Sequence, residues 1–344
     1  MHRSTLLGLL ALLLWSTTVA ASRSLAEKLG PLTAGAAVCL FAGTLGLLAQ
    51  LKATGYRRQA TGPQAIRTSA DTAACSLWPA AFFIHHSSFI IHHFLALPRR
   101  YLIGCGALFI VYTVCLYVAI GLAADRTQVL AVGLLNYLWP GLTILFSLPL
   151  LKRKARAGLA PGTLLALCGV FLVIMQGSGV SLRALAGNLS ASPVVFALGL
   201  IAAISWALYS NLARLWGGQQ ADGAVPAFFL ASGLVLLAVR MLRPEVSTFS
   251  ARAGAELAFL STATALGYVF WDVSMRRGNA VLVVACSYAM PLLSTAISCA
   301  YLGIVPARSL WLGCLLIIGG SVLSRLSIEE AAAPAPSSRQ SISP

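Results

Sequence analysis

Residues 129–151 read VLAVGLLNYLWPGLTILFSLPLL. Nothing in this run is charged, and as a helix rising about 1.5 Å per residue it can cross the ~30 Å hydrocarbon core of a bilayer. Its centre, Asn136-Tyr137-Leu138-Trp139-Pro140, is nonetheless built from residues awkward in lipid. Pro140 has no N–H to give to the carbonyl of Asn136, four residues earlier, so a helix should break there and free one acceptor beside a polar side chain. Irregular backbone at membrane depth is tolerated only where it is buried in protein or lines a cavity. The stretch therefore predicts a membrane protein with a broken helix at a functional position.

The rest of the chain agrees. Its 344 residues are 58% apolar and 10% charged, with a mean hydropathy of +0.85, whereas soluble domains carry about 25% charged residues. Apolar runs near 4–22, 31–51, 101–123, 128–151, 157–176, 193–213, 222–242, 253–274, 278–303 and 307–325 predict ten transmembrane helices in an all-α integral membrane protein. The net charge of +15 does not point to nucleic acid, because the basic residues sit in short segments between apolar runs. There they set orientation: with the N-terminus inside, 16 of the 24 Lys and Arg fall on the cytoplasmic side, including Arg57–Arg58, Arg99–Arg100 and Lys152–Arg156. Both termini are expected to be cytoplasmic. The eight Cys form no CxxC pair and read as small buried hydrophobes.

The two halves echo each other. A shift of 151 residues carries Tyr117 onto Tyr268, Arg126 onto Arg277, Tyr137 onto Tyr288 and Pro140 onto Pro291, and also Gly162 onto Gly313 and Gly169 onto Gly320. Nearer the N-terminus the shift is 191, carrying Trp15 onto Trp206. Five helices is an odd number, so the second unit must cross the membrane inverted relative to the first, an arrangement typical of transporters. This yields a first repeat at 1–176, a second at 193–325 and a disordered Pro/Ser-rich cytoplasmic tail at 326–344. The first 22 residues resemble a secretory leader, but their counterpart in the sixth span favours a retained helix. The change of shift implies an insertion at about 56–99. It contains His85, His86, His92 and His93 in FFIHHSSFIIHHF. Two HH pairs could bind a metal, and a metal-dependent membrane enzyme is one rival reading. The stretch is more simply a local duplication in a dispensable loop, so neither a metal nor a cofactor is expected.

Each half places polar residues at its proline. Asn136, Thr143 and Ser147 follow one another at helical spacing, as do Ser287, Ser294 and Ser298 in the copy around Pro291. These stripes read either as two walls of one cavity or as helix–helix glue. Trp15 and Trp206 lie within spans, and Tyr112, Tyr117, Tyr137, Trp139, Tyr268, Trp271 and Tyr288 come from the central helices; together they could box a flat ligand. Asp272 is the only acid near a span interior, at the expected cytoplasmic end of span eight. Arg276, four residues on, can neutralise it, which makes the pair a candidate gate. Without an acid at the midplane, facilitated transport is the simpler expectation.

NYLWPGLTILFS (136–147), YVFWDVSMRRGNAVLVVACSYAMPLLS (268–294) and the ten-span plan resemble the drug/metabolite transporter superfamily, EamA type, over about 1–55 and 100–325. The resemblance implies an exporter of Phe, Tyr, Trp and similar metabolites in a bacterial inner membrane, with a central aromatic-lined cavity and no enzymatic activity. It assigns substrate contacts to Asn136, Tyr137, Trp139, Trp206 and Tyr288, with Trp15 and Tyr112 beside them. Ser287, the counterpart of Asn136, joins this set by position. The chain departs from the pattern in the long second loop and at SYAMP, where relatives often show SYFTP. Efflux of cationic drugs or another metabolite is the alternative on this scaffold. The expected partners are a small molecule and the bilayer, and a monomer is compatible with all of this.

Overall fold

The computed structural model describes residues 3–61, 97–175, 192–218, 223–302 and 308–329. These residues form α1 (Arg3–Leu29), α2 (Pro31–Thr61), a π-helical turn (Tyr101–Cys105) running into α3 (Gly106–Leu122), α4 (Arg126–Asn136), α5 (Trp139–Leu150) and α6 (Leu159–Met175). After them come α7 (Pro193–Trp216), α8 (Val225–Leu242), α9 (Ala251–Arg277), α10 (Ala280–Ser287), α11 (Met290–Leu302) and α12 (Arg308–Leu326). Most of the insertion, with all four of its histidines, lies outside the described residues.

Local chemistry sets the helix ends. Asp125 caps α4 by accepting the Gln128 N–H at 2.8 Å, and Asn279 caps α10 by accepting that of Leu282 at 3.0 Å. Ser250 caps α9 through the Ala253 N–H at 3.2 Å. Gly30, at φ +84°, closes α1 and turns the chain into α2, a conformation that only glycine adopts without strain.

Among the described residues, six helical stretches are long and apolar enough to cross a membrane: Pro31–Gln50, Tyr101–Leu122, Ala131–Leu150, Pro193–Trp216, Val225–Leu242 and Ala251–Arg277. α1, bent by 48° between Thr18 and Ala21, makes a seventh when its arms are read as one span, and Leu159–Val173 and Trp311–Leu326 are shorter apolar helices. Ile103, Leu164, Leu234, Trp311 and Leu315 are exposed on the outside of the bundle, as expected of side chains that face lipid. The protein is an all-α membrane protein.

Two predicted spans, 128–151 and 278–303, are each two helices. α4 stops at Asn136 and α5 starts at Trp139; α10 stops at Ser287 and α11 starts at Met290. The shift of 151 carries Asn136 onto Ser287 and Trp139 onto Met290, so the breaks coincide residue for residue. At the first break the chain tightens, with Leu138 N–H donating to the Leu135 carbonyl at 3.0 Å. Both prolines are buried rather than turned to lipid. The first residues of the tail expected from 326 are ordered. Ile328 and Glu329 pair antiparallel with Ala155 and Lys154, because the end of α12 meets the loop before α6; residues 330–344 lie outside the described set.

The main helix partners are α1 with α9, α2 with α8, α3 with α7, and α6 with α12. The last crossing depends on glycine. A Cβ on Gly162 would stand 3.0 Å from the Gly320 carbonyl oxygen, and one on Gly169 would stand 2.7 Å from that of Gly313. One index rises as the other falls, so the two helices run antiparallel with their backbones in contact. Such close approach is how helices associate in lipid, where no hydrophobic effect drives them together. Gly169→Leu should cost about 1–3 kcal/mol by overpacking. Thermal unfolding in detergent should show a lowered midpoint, while Gly254→Ala, with nothing within 4 Å of the added Cβ, should keep or slightly raise it.

Candidate functional site

The break after Asn136 restarts the helix at Trp139 and sends that side chain into the centre of the bundle. The ring of Trp206, on α7, is the hub there. It lies 6.3 Å from Trp139 (α5), 6.0 Å from Trp15 (α1), 4.8 Å from Tyr112 (α3) and 5.2 Å from Tyr268 (α9), centroid to centroid. Trp271, also on α9, stacks on it at 5.8 Å with 29° between planes, and Tyr209 stacks at 5.1 Å. Trp139 meets Trp271 edge-on at 5.2 Å, and Trp15 meets Tyr268 at 4.9 Å. The Tyr112 and Tyr268 hydroxyls share a 3.2 Å hydrogen bond. Rings from α1, α3, α5, α7 and α9 thus converge, mostly at the edge-to-face and offset geometries worth about 0.5–1.5 kcal/mol per pair.

Of the residues expected from sequence, this cluster gathers Trp15, Tyr112, Trp139, Trp206, Tyr268 and Trp271. Among the described residues Tyr137 and Tyr288 make no ring contact with it. Tyr288 is fully buried on the α6 side, its hydroxyl 3.2 Å from where a Cβ on Gly141 would sit. Phe109 and Tyr209 were not anticipated, although each lies one helical turn from a marked residue, Tyr112 or Trp206, on the same face.

Three polar atoms of the residues expected from sequence are buried without a hydrogen-bond partner among the described residues: Asn136 Oδ1, Trp15 Nε1 and the Tyr288 hydroxyl. Trp15 reaches its place because position 267 is glycine; a Cβ there would stand 2.7 Å from the indole nitrogen. Three hydroxyls of the polar stripes bond back onto their own helices. Thr143 Oγ1 donates to the Trp139 carbonyl at 2.7 Å, Ser147 Oγ to Ile144 at 2.6 Å, and Ser287 Oγ to Val284 at 2.6 Å, each within its own helix. A hydroxyl in an apolar helix satisfies itself on the preceding turn. The interhelical link here is Asn211, whose Nδ2 donates to the Thr143 carbonyl at 2.9 Å and joins α7 to α5.

Asp272 and Arg276 form the expected pair, with Nε to Oδ2 at 2.8 Å and Nη2 to Oδ2 at 2.7 Å. The pair is enclosed by protein: its side chains are 1% and 0% exposed. Two phenols explain how the charges tolerate burial, since the Tyr101 and Tyr209 hydroxyls each donate to Asp272 Oδ1 at 3.0 Å. Among the described residues no three His, Cys, Asp or Glu side chains gather where a metal could bind.

Comparison with known proteins places this geometry. Residues 194–326 match the EamA-like transporter family. The chain is 30% identical to the aromatic amino acid exporter YddG of Escherichia coli (strain K12), over 95% of its own length and 98% of that protein's. It is 28% identical to the Salmonella typhimurium protein of the same name, over 95% and 98%, and 27% identical to that of Ancylobacter novellus, over 94% and 97%. A crystal structure 24% identical in sequence superposes with a TM-score of 0.67, covering 94% of this chain and 98% of the other, which supports the fold. The chain belongs to the EamA-like transporter family.

Proposed function

We propose that this transporter exports aromatic amino acids across a bacterial inner membrane by facilitated alternating access. The observation that carries the reading is the convergence of rings on Trp206 from helices of both halves of the chain. A substrate ring would take the place of one ring–ring contact in the cluster, and the amino acid's own charged groups need one acceptor and one donor. Asn136 Oδ1 as acceptor and Trp15 Nε1 as donor are two of the buried, unpartnered atoms that could serve them. In this reading Tyr112 and Trp139 wall the site. Tyr137, Tyr288 and Ser287 line the approach along the helix breaks at Pro140 and Pro291, and the Asp272–Arg276 pair acts as a gate. The chemistry named for the E. coli, Salmonella and Ancylobacter relatives is consistent with it.

Alternating access rests on ten spans arranged as two inverted repeats, 1–176 and 193–325, followed by a short tail. Several features support this arrangement. The helix breaks coincide under the shift of 151. Exchanging the halves turns the α1–α9 contact into α7–α3 and the α5–α7 contact into α11–α1, and all four are present. The same exchange turns the Gly162–Gly320 contact into Gly313–Gly169. An antiparallel crossing that maps onto itself has its two-fold axis perpendicular to the helices, as inversion across the membrane requires.

Among the described residues Asp272 and Arg276 are the only fully buried charges, and both Asp272 oxygens are occupied, which favours transport without proton coupling. In proteoliposomes loaded with labelled Phe, Trp206→Ala or Asn136→Ala should slow efflux at least about tenfold, the loss expected for a few ring contacts or one buried hydrogen bond. Trp206→Phe should recover most of the rate, and a pH gradient should not change the parent rate. Preference for a fluorescent cation over Phe would replace the amino acid reading with drug efflux. Reporter enzymes fused to either terminus should be active only on the cytoplasmic side; activity of the N-terminal fusion outside would reverse the orientation.

A further inference from the structure

Beyond the aromatic cluster, two buried or half-buried acids tie the ends of the bundle together. At one end Asp272 (α9) holds Tyr101 at the start of α3, Tyr209 on α7 and Arg276 on its own helix. The Tyr101 hydroxyl also accepts the Ala224 N–H at 3.2 Å, just ahead of α8, and Gln50 of α2 donates to the neighbouring Gly223 carbonyl at 2.9 Å. At the other end Glu245, between α8 and α9, accepts the N–H groups of Leu32 and Thr33 at 3.0 and 2.8 Å and the Thr33 hydroxyl at 2.9 Å. Around it Ser247 Oγ donates to the Leu29 carbonyl at 2.6 Å, and Thr248 N–H donates to that of Lys28 at 2.9 Å. From Leu32 to Gln50 along α2 is about 27 Å at 1.5 Å per residue, close to the thickness of the hydrocarbon core. The two clusters therefore stand on opposite sides of the membrane.

They also occupy equivalent corners of the two halves. The shift of 191 carries Leu32 and Thr33 onto Gly223 and Ala224, and the shift of 151 carries Gly121 onto Asp272. A Cβ on Gly223 would run into the Asp272 carboxylate, and one on Gly121 would stand 3.9 Å from Glu245 Oε1. Each corner thus holds one carboxylate against the start of α2 or α8, supplied by a helix in one half and by a loop in the other. No sequence shift reveals this, because Glu245 and Asp272 are not each other's counterparts.

We infer that these are the two gates of the transport path: Asp272 with Tyr101, Tyr209 and Arg276 closes one end, Glu245 with the start of α2 closes the other, and export breaks one while the other holds. The inference rests on the alternating-access reading above and adds Tyr101, Tyr209 and Glu245 to it. Both gates are made in this structure, so it represents the closed state between the two openings. Side-chain bonds between helices suit this task. They can be exchanged for water without unravelling any helix, whereas the backbone contacts of the glycine crossing cannot.

Cys105 offers a native reporter, fully buried one turn beyond Tyr101. In the full chain with its seven other cysteines replaced by Ser, reconstituted in vesicles, labelling by a membrane-impermeant maleimide is measured from each side without substrate. The double variant Tyr101→Phe, Tyr209→Phe keeps both rings and removes both hydrogen bonds to the carboxylate. It should label Cys105 at least about tenfold faster, from one side only, as expected from losing charge-assisted hydrogen bonds. Glu245→Gln should label it no faster than the parent, because opening the far end excludes opening this one. Acceleration from both sides, acceleration by both variants alike, or no acceleration by either would overturn the gates. Labelling needs no transported molecule, so a wrong substrate assignment would leave this result standing. Normal Phe efflux with the wrong labelling pattern would remove the gates alone.

Discussion

A helix in lipid must satisfy its own backbone, and Pro140 and Pro291 forbid that at one point in each half of the chain. The rest of the structure depends on this constraint. A freed carbonyl cannot face hydrocarbon, so both breaks are driven inward, and both prolines are buried. Once the break is inside, the helix that follows it starts from the centre of the bundle instead of from its surface. Trp139, the first residue of α5, therefore lies against Trp206 and Trp271 instead of anchoring at the headgroups.

The breaks also divide the molecule into parts of different stiffness. The α6–α12 crossing is backbone against backbone, with no side chain between Gly169 and Gly313 to rearrange. The Asp272 and Glu245 clusters are side-chain hydrogen bonds that water can replace. The aromatic cluster lies between these extremes. Its contacts are non-directional enough to admit another ring, yet numerous enough to hold the halves together when none is present. Under the proposed function, such a division suits the transport of flat, half-apolar molecules: a fixed seam, an adaptable middle and separable ends.

Much of this was legible in the sequence, for physical reasons. Proline in an apolar run has one meaning in lipid, so the breaks, their pairing at a shift of 151 and the inward turn of Trp139 could all be read from NYLWP and SYAMP. The Asp272–Arg276 pair was legible from its spacing of four. Its burial was not, because the phenols that permit it come from Tyr101 and Tyr209, which are 171 and 63 residues away. The polar stripes were legible only as positions on a helix face. Helical spacing reveals which face a hydroxyl occupies but not whether it bonds outward or back onto its own helix, and Thr143, Ser147 and Ser287 all bond back. Phe109 and Tyr209 were hidden because a ring in an apolar helix has the same pattern whether it packs a core or meets a substrate.

The central claim is that the rings around Trp206 receive the side chain of the exported amino acid. The most direct test is a crystal structure grown with 4-bromophenylalanine, whose bromine gives an anomalous signal at a single atom. The account predicts one peak within van der Waals contact of Trp206, among the rings of Trp15, Trp139 and Trp271. A peak elsewhere, against the α6–α12 seam or on the lipid-facing surface, with the Trp206 cluster still closed on itself, would contradict it.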